Sequence, residues 1–320
     1  MKNPRRRLLQ AAGAAWLAPW AAHMPAAAQP ALQPAASPAA TPSAKAAEPA
    51  LLHRAIPSSG QRLPAVGLGT WLTFDVPVND ADALARRRQV LERFFADGGR
   101  LVDSSPMYGH AEAVMGELLA QPEPRLFSAT KVWTAVPLYG PTQMRRSLSL
   151  WKLPRVDLMQ VHNLLAWRTH LKTLREWQAE GRVRHIGVST SHGRAPDEVR
   201  HILLNERIDV LQITYSPADR SAEPLLALAA ERGVAVIVNR PFDGGALLAG
   251  LAGRPLPLVA RELQCESWAA LVLKWTLANP AVTCAIPATT NPVHVAQNLA
   301  ALRGPLPDAR QRAAVLAALA

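Results

Sequence analysis

Cysteine is scarce in this sequence. It occurs twice in 320 residues, as Cys265 and Cys284. Two cysteines exclude a small disulfide-stapled scaffold and a four-cysteine metal centre, and we predict no metal site. An oxidising compartment would allow the two to pair, but Cys284 lies in an apolar, strand-like run. This position favours two buried thiols.

The sequence also lacks a long apolar run. The Ala- and Leu-rich stretch near the N-terminus, residues 8–22, has about 15 residues, whereas a membrane-spanning helix needs roughly 20. We therefore expect no stable membrane span.

Acidic residues are fewer than basic ones. The chain has 24 Asp and Glu against 35 Lys and Arg, for a net charge of +11. Lys2 and the three arginines at positions 5–7 contribute four of these charges, which leaves +7 for the rest. The other arginines are scattered along amphipathic segments, as at positions 86–88. Such scattering is typical of solvated helix faces, so we predict no nucleic-acid partner.

Residues 1–29 have the composition of an export signal. They contain no acidic residue, and the apolar stretch is followed by Pro25 and three alanines, a pattern typical of a cleavage site. The pair Arg5-Arg6 resembles a twin-arginine signal, which addresses already folded proteins. The sequence therefore predicts the twin-arginine export machinery as a partner and a periplasmic or otherwise exported location.

Residues 30–50 are rich in Pro, Ala and Ser and show no apolar periodicity. A segment of this composition has no face to pack, so it predicts a disordered tether. The folded part is then residues 51–320. It opens with a predicted hairpin, formed by residues 52–56 and 62–63.

Short apolar runs alternate with amphipathic stretches through the rest of the chain. The runs predict eight strands at residues 65–69, 100–103, 126–131, 156–162, 186–189, 210–213, 234–239 and 282–286. Helical patterns lie between them, and residues 308–320 form a last amphipathic helix. Eight successive repeats of a strand followed by a helix predict an α/β fold, the (β/α)₈ TIM barrel. A doubly wound open sheet is the alternative, but Gly67-Leu-Gly69 lacks the third glycine of its nucleotide-binding turn.

Polar or aromatic residues stand at the end of every predicted strand. Barrel geometry brings strand ends to one mouth, so these side chains are candidates for a site. Each of these residues, considered alone, also has an ordinary structural explanation, such as a snorkelling lysine or a buried core histidine. The strand-end residues are Thr70, Trp71, Asp103, Lys131, His162, Ser189, Gln212, Asn239, Thr289 and Thr290.

The sequence resembles the aldo/keto reductase superfamily over roughly residues 63–302. Seven ordered motifs carry the resemblance: GLGTW (67–71), VDSSPMYGHAE (102–112), SATKVW (128–133), DLMQVHN (157–163), GVSTS (187–191), LQITYSP (211–217) and AIPATTNPVHVAQNL (285–299). The resemblance implies an oxidoreductase that transfers hydride from a nicotinamide to an aldehyde or ketone.

The family's catalytic tetrad corresponds to Asp103, Tyr108, Lys131 and His162, all of which are present. Tyr108 is the expected proton donor. A nearby Lys131 ammonium favours phenolate, so we expect it to lower the pKa of Tyr108 towards neutrality. Asp103 is expected to pair with Lys131, and His162 to orient the substrate oxygen.

The resemblance also implies a cofactor site. It assigns Ser189 and Gln212 to the nicotinamide carboxamide and Gln297 with Asn298 to adenine. A helix beginning at Asn291-Pro292 would offer free amides to phosphate. The remaining expected cofactor contacts are Thr70, Trp71, Thr190, Asn239, Thr289 and His294.

The cofactor motifs depart from the family pattern in three places. Thr190 stands where an Asn is usual, and Asn239 where an aromatic ring usually stacks on the nicotinamide. Ala288 and His294 replace a common Lys and Arg near the adenosine 2′-phosphate. NADP is the expected cofactor, with NAD as the alternative, because neutral histidine is a weaker phosphate partner than arginine.

Three tryptophans follow strands one, three and four of the predicted barrel. Trp71, Trp133 and Trp167 are expected to wall the substrate pocket, with core packing as the alternative. We expect a monomer that acts on a small carbonyl compound.

An exported reductase has no obvious supply of reduced nicotinamide. The alternative function is therefore an exported barrel with a degenerate cofactor site, acting as a binding or sensory module. A redox-neutral isomerase with a retained cofactor is the other form of this alternative. The intact tetrad favours reduction, whereas the altered cofactor positions favour the alternative.

Deleting residues 1–50 should leave the thermal unfolding midpoint unchanged. The tether has no periodic apolar face with which to pack on the folded part. Calorimetry of the full and shortened chains measures this, and a clear drop in the midpoint would show that the tether docks on the barrel.

Overall fold

A two-stranded hairpin precedes an eight-stranded parallel sheet in the computed structural model, which describes residues 50–119 and 123–319. The predicted signal peptide and the predicted tether up to residue 49 lie outside the described residues. The antiparallel hairpin consists of β1 (His53–Ala55) and β2 (Arg62–Pro64), as predicted. The parallel strands are β3 (Leu68–Gly69), β4 (Leu101–Asp103), β5 (Phe127–Val132), β6 (Val156–His162), β7 (Val183–Ser189), β8 (Val210–Thr214), β9 (Ala235–Asn239) and β10 (Val282–Ala285).

The parallel strands follow one another in sequence order from β3 to β10, and the sheet closes on itself. Gly67 and Gly69 donate backbone hydrogen bonds to Ala285 O and Pro287 O, at 2.8 and 3.0 Å, which joins the first strand to the last. Glycine is required here, because a Cβ on Gly67 would lie 2.8 Å from a backbone oxygen of the neighbouring strand. The predicted (β/α)₈ barrel is confirmed, and the open sheet is excluded.

Helices follow each barrel strand. Their bounds are α1 (Ala81–Ala96), α2 (Ala111–Leu118), α3 (Gly140–Trp151), α4 (Trp167–Ala179), α5 (Pro196–Asn205), α6 (Glu223–Glu231), α7 (Ala246–Gly250), α8 (Leu258–Glu262), α9 (Trp268–Leu277), α10 (Pro292–Ala300) and α11 (Ala309–Leu319). The short helices α7 and α8, between β9 and β10, are not among the predicted ones. Each is only five residues long, too short to show helical periodicity.

Successive residues of the strands divide between two buried layers. In β5, Phe127 and Ala129 belong to the cluster inside the barrel, whereas Val132 belongs to the larger layer between strands and helices. In β6, Leu158 faces inward, and Met159 packs against the helices. Since side chains alternate along a strand, the next inward positions of these strands fall at the polar residues near the strand ends.

The hairpin packs against the end of the barrel at which the strands begin. The Arg54 guanidinium donates to three backbone carbonyls, Leu277 O at 2.5 Å, Asn279 O at 2.9 Å and Val282 O. These carbonyls belong to the end of α9, the turn after it and the start of β10, and at the helix end a cation also complements the helix dipole. Gln61, at the hairpin turn, contacts the buried His185 of β7 at 3.1 Å.

Cys265 and Cys284 are free and buried, and burial raises the pKa of both thiols. In residues 50–119 and 123–319 no helix combines the length and the apolar character needed to cross a membrane.

Replacing Arg54 with Met should destabilise the protein. Three carbonyls would lose a charged donor, so the free energy of unfolding should fall by about 3 kcal/mol. Urea titration measures this free energy of unfolding. Arg62→Met is the matched control in the same hairpin, because Arg62 is exposed and its Nη2 makes one 3.2 Å contact to His53 O. Equal losses in the two variants would contradict a special role for Arg54.

Candidate active site

The polar strand ends lie beside one another because the parallel strands are in matching register. Asp103 is level with Gly69 and Ala129, Lys131 with Gln160, and Ser189 with both His162 and Gln212. The predicted residues of five different strands therefore meet at one end of the barrel.

An ion pair between Lys131 and Asp103 lies at the centre of this group. Lys131 Nζ is 2.5 Å from Asp103 Oδ2 and also donates to Ser104 O at 2.7 Å, and both side chains are almost completely buried. The other carboxylate oxygen, Oδ1, accepts from Gln212 Nε2 at 2.9 Å and from Gln160 Nε2 at 3.3 Å. Burial alone would lower the pKa of Lys131, but Asp103 and the other partners raise it above its usual value. The lysine therefore stays charged.

Gln160 was not predicted as a site residue, although the sequence holds a signal for it. Leu158, Gln160 and His162 share the inward face of β6 by their alternate spacing, so a polar residue two before His162 also points into the barrel. Its Oε1 is buried with no hydrogen-bond partner in the part of the chain that the structure describes.

Tyr108 lies in the loop between β4 and α2, against the ion pair. Lys131 Nζ is 5.0 Å from the centroid of the Tyr108 ring, and the ring meets His162 edge-on at a centroid distance of 6.1 Å. Burial raises the pKa of Tyr108 above its ordinary value of 10.0, and the lowering effect of Lys131 is smaller than this. The expectation of a pKa near neutrality is wrong, because burial penalises the phenolate and Asp103 offsets part of the lowering by the lysine charge.

His162 is held by one ring nitrogen and free at the other. Its Nδ1 lies 2.6 Å from Ser189 Oγ, whereas Nε2 is buried with no hydrogen-bond partner among the described residues. Burial, with Lys131 and Arg194 adding to it, lowers the pKa of His162 to about 3. The imidazole is therefore neutral near pH 7. When the Ser189 hydroxyl donates to Nδ1, the ring proton is on Nε2.

The expected carboxamide ligands, Ser189 and Gln212, have contacts within the protein. The Ser189 hydroxyl binds His162, and the Gln212 amide binds Asp103. The structure thus brings both residues to the tetrad, and it gives them partners that the sequence analysis did not predict.

Two other residues expected at the cofactor, Asn239 and Thr190, join neighbouring strand ends. Asn239 donates from Nδ2 to Thr190 O at 2.9 Å and accepts from Thr214 Oγ1 at 2.7 Å. The Thr190 hydroxyl donates to Arg194 O in its own loop. Where the family has a stacking ring, this chain has a polar link between the ends of β7, β8 and β9.

Thr70 is fully buried beneath the mouth. Its hydroxyl lies 3.0 Å from Asp103 O and 2.9 Å from Ser104 Oγ, so it ties the end of β3 to the loop after β4.

The remaining cofactor candidates gather around the start of α10. Asn291 caps this helix and accepts from Val293 N at 2.9 Å. Thr289 Oγ1 accepts from Asn291 N at 3.1 Å and lies 3.3 Å from His294 Nδ1. Further along the helix, Gln297 is half-buried and Asn298 is buried. The predicted helix start at Asn291-Pro292 is present, with amides available in its first turn.

The three tryptophans differ in exposure. Trp133 is 38 % exposed and Trp71 is partly exposed, so both are accessible. Trp167 is buried in the core, and its indole donates to Glu198 Oε1 at 2.5 Å. The structure therefore gives Trp167 the packing role that was the alternative.

Glu112 is a buried acid that was not predicted as part of the site. It accepts from Thr130 Oγ1 at 2.5 Å, Ser147 Oγ at 3.1 Å and Trp151 Nε1 at 3.3 Å. Burial raises its pKa. These contacts fasten α2, and with it the loop that carries Tyr108, to β5 and α3. The available signal was an acid between the small and apolar residues at the start of α2, which has the sequence AEAVMGEL.

A comparison with protein families matches residues 65–314 to the model of the aldo/keto reductase family. Among known proteins, the chain is 26 % identical over 291 residues to mouse aldo-keto reductase family 1 member A1, covering 79 % of this chain and 84 % of that protein. It is 25 % identical over 305 residues to the NADH-specific methylglyoxal reductase of Escherichia coli K12, covering 77 % and 92 %.

Solved structures give the same fold. An aldo-keto reductase of Bacillus halodurans in its holo form aligns with a TM-score of 0.69 at 21 % identity, over 85 % of this chain and 97 % of that one. An aldo/keto reductase of Klebsiella pneumoniae in complex with NADP and acetate aligns with a TM-score of 0.67 at 22 % identity, over 80 % and 91 %.

We expect His162 to carry its proton on Nε2 and to stay neutral in the folded protein from pH 8 down to about pH 4, since its pKa is about 3. Nitrogen-15 spectra of histidine-labelled protein distinguish the two tautomers. Ser189→Ala removes the partner of Nδ1, so the preference for Nε2–H should weaken. Ser191→Ala, which removes an exposed hydroxyl 3.0 Å from His192 Nδ1, is the matched control and should leave the His162 signals unchanged.

A free histidine titrates near pH 6.5, so the unfolded chain binds the proton first. The contribution of His162 to stability is therefore complete above about pH 6.5 and is lost as the pH falls towards 3. A His162 signal that titrates near pH 6.5 in folded protein would contradict this assignment.

Proposed function

The chain belongs to the aldo/keto reductase family, and on that premise we propose that it reduces an aldehyde or ketone with NADPH, or alternatively NADH, using Tyr108 as the proton donor. One observation carries the proposal. The buried Lys131–Asp103 pair, Tyr108 and a neutral His162 lie together at the end of the barrel where active sites of this fold are built.

The residues at the mouth suit a carbonyl substrate and a nicotinamide dinucleotide. His162 Nε2 is a buried ring nitrogen without a partner among the described residues, and the start of α10 offers backbone amides to a phosphate. When bound, the nicotinamide supplies the hydride. The E. coli relative is named as NADH-specific and the Klebsiella structure holds NADP, which is why both cofactors enter the proposal.

Tyr108 gives its proton to the carbonyl oxygen as negative charge develops there. The raised pKa keeps the phenol protonated at neutral pH, so the donor carries the proton that it transfers. The remaining phenolate is then stabilised by the Lys131 ammonium, 5.0 Å from the ring centroid. Asp103 holds that ammonium in place through the 2.5 Å contact.

His162 binds the same oxygen. With its proton on Nε2, the neutral ring donates a hydrogen bond to the developing oxyanion and does not compete with Tyr108 for the proton transfer. Ser189 positions the imidazole through Nδ1. The accessible Trp71 and Trp133 offer apolar surface to the rest of a small carbonyl substrate.

We also propose that the chain is a monomer, exported folded by the twin-arginine machinery. For the monomer, the support is that one chain supplies all four tetrad residues. For export, the support is the sequence of residues 1–29, which lie outside the described residues.

The polar link at Asn239 favours a second candidate function. Asn239 binds Thr190 and Thr214 where relatives of this family stack a ring, so a retained cofactor in a binding module or an isomerase is the alternative. Nicotinamide absorbance and fluorescence of the purified protein separate the two. A stoichiometric cofactor that carbonyl compounds do not oxidise would favour this second function.

Replacing Tyr108 with Phe should abolish carbonyl reduction and leave cofactor affinity nearly unchanged, because only the acidic hydroxyl is lost. The rate should fall by a factor on the order of 10² or more. Tyr139→Phe is the matched control, since Tyr139 is 44 % exposed in the loop after β5 and should retain full activity. Undiminished reduction by the Tyr108 variant would refute the mechanism.

A further inference from the structure

The large apolar side chains that this protein exposes are concentrated at the mouth of the barrel. Of nine such side chains among the described residues, six lie on the loops after β3 and β5, which leave the barrel at its mouth. Single exposed apolar residues are ordinary, whereas a group of them at one end of a protein marks a contact surface. The six are Leu72, Val78, Trp133, Val136, Leu138 and Tyr139.

The loop after β5 carries Leu138, the most exposed of these side chains. Leu138 is 92 % exposed and Val136 is 59 % exposed, and both belong to residues 136–139, which we call the apolar tip. Residues 132–144, which contain the apolar tip, carry no charged side chain. Water solvates such a surface poorly, so covering it with an apolar phase is favourable.

The backbone beneath the apolar tip is fixed by two side chains. Gln143 Oε1 accepts from Trp133 N at 2.6 Å, and Gln143 Nε2 donates to Trp133 O at 2.9 Å. His170 Nε2 lies 2.9 Å from Thr134 O. The same imidazole packs against Gly140, where a Cβ would lie 2.6 Å from the ring. A loop fixed in this way loses little conformational entropy when it binds a partner.

A second exposed apolar residue, Leu72, lies on the loop after β3. Its φ is +60°, which is uncommon for a residue with a large side chain, and that side chain is 71 % exposed. The neighbouring Trp71 ring packs beside Arg240, whose guanidinium carbon is 5.6 Å from the ring centroid. Backbone strain of this kind is concentrated at functional sites, and here it exposes a leucine at the same end of the barrel as the apolar tip.

The charges of the segment around the apolar tip are all positive. The sequence has no acidic residue between Glu123 and Asp157, and the first charged residues after the tip are the exposed Arg145 and Arg146 of α3. They lie roughly 8 Å along a helix that begins at the tip, which is within about one Debye length at physiological salt. Arg145 Nη2 is 3.1 Å from Thr142 Oγ1, one turn nearer the tip.

We propose that the apolar tip and Leu72 dock on the surface of an anionic lipid bilayer. The apolar side chains enter the interface, and Arg145 and Arg146 attract the lipid phosphates. Tyr139 is of the residue type that lies at the level of the lipid headgroups. A second copy of the chain fits this surface less well, because like charges of the two copies would face each other. The inference is independent of the proposed function.

A fluorescent label that senses polarity tests the docking at single positions. Leu138→Cys is labelled in the full chain, where Cys265 and Cys284 are buried and stay unlabelled. Vesicles of phosphatidylglycerol and phosphatidylcholine should shift its emission to shorter wavelength. Leu204→Cys is the matched control, an exposed position near the end of α5, at the opposite end of the barrel, and its emission should not change. Both proteins contain residues 1–29, so binding by that segment does not produce the difference.

Co-sedimentation with the same vesicles measures the strength of docking. Leu138→Ser should weaken binding by about tenfold, as expected for one leucine side chain kept out of the interface, whereas Leu204→Ser should leave it unchanged. The double variant Arg145→Gln, Arg146→Gln should weaken binding by about tenfold or more. It should not alter the weaker binding to vesicles of phosphatidylcholine alone. All four positions are exposed, so these variants should fold.

Each outcome supports or overturns the docking. A label at position 138 that responds no more than the label at position 204 would refute it. A dimer that Leu138→Ser abolishes would assign the apolar tip to a second copy. A raised KM for apolar carbonyl compounds without vesicles, and no response of the label, would assign it to the substrate. Equal binding to anionic and neutral vesicles would refute the part of the two arginines. Reduction of a water-soluble aldehyde should be unchanged in Leu138→Ser, so a failure of the proposed function leaves this test intact.

Discussion

The arrangement of the mouth depends on one buried ion pair, Lys131 with Asp103. Two charges removed from water cost several kcal/mol each unless their remaining hydrogen-bonding groups are satisfied, and removing one partner of such a pair costs roughly 3–5 kcal/mol. Here Ser104 O accepts a second hydrogen bond from the lysine, while Gln160 and Gln212 donate to the other carboxylate oxygen. The pair thus fixes β4, β5, β6 and β8 to one another at their ends.

Burial sets the protonation states around this pair. It raises the pKa of Tyr108 by more than the Lys131 ammonium lowers it, and the Asp103 carboxylate offsets part of that lowering. Burial likewise keeps His162 neutral. The centre therefore holds a protonated phenol and an uncharged imidazole, which is the combination that the proposed carbonyl reduction uses. Glu112 supports the same arrangement from behind by fastening the helix that follows the Tyr108 loop.

Local pattern accounts for the parts of the fold that were predicted correctly and for the positions of the polar strand-end residues. Each strand reads as a short apolar run, and its alternation of inward and outward residues places Asp103, Lys131 and His162 on inward faces near the strand ends. The helices α7 and α8 escaped prediction because five residues carry too little periodicity. No local pattern indicated that Trp167 is buried, because the burial of an aromatic residue at the start of a helix depends on which other helices pack over it.

The sequence by itself determined the (β/α)₈ order and the hairpin, because period-two alternation and strand-end position are properties of single segments. Its resemblance to the aldo/keto reductases is what pointed to the four tetrad residues. Only the tertiary structure decided that Ser189 binds His162, that Asn239 links three strand ends and that Arg240 lies over Trp71. It also reversed the expected direction of the Tyr108 pKa. These outcomes depend on contacts with, and burial by, residues on different strands, so no single segment of the sequence predicts them.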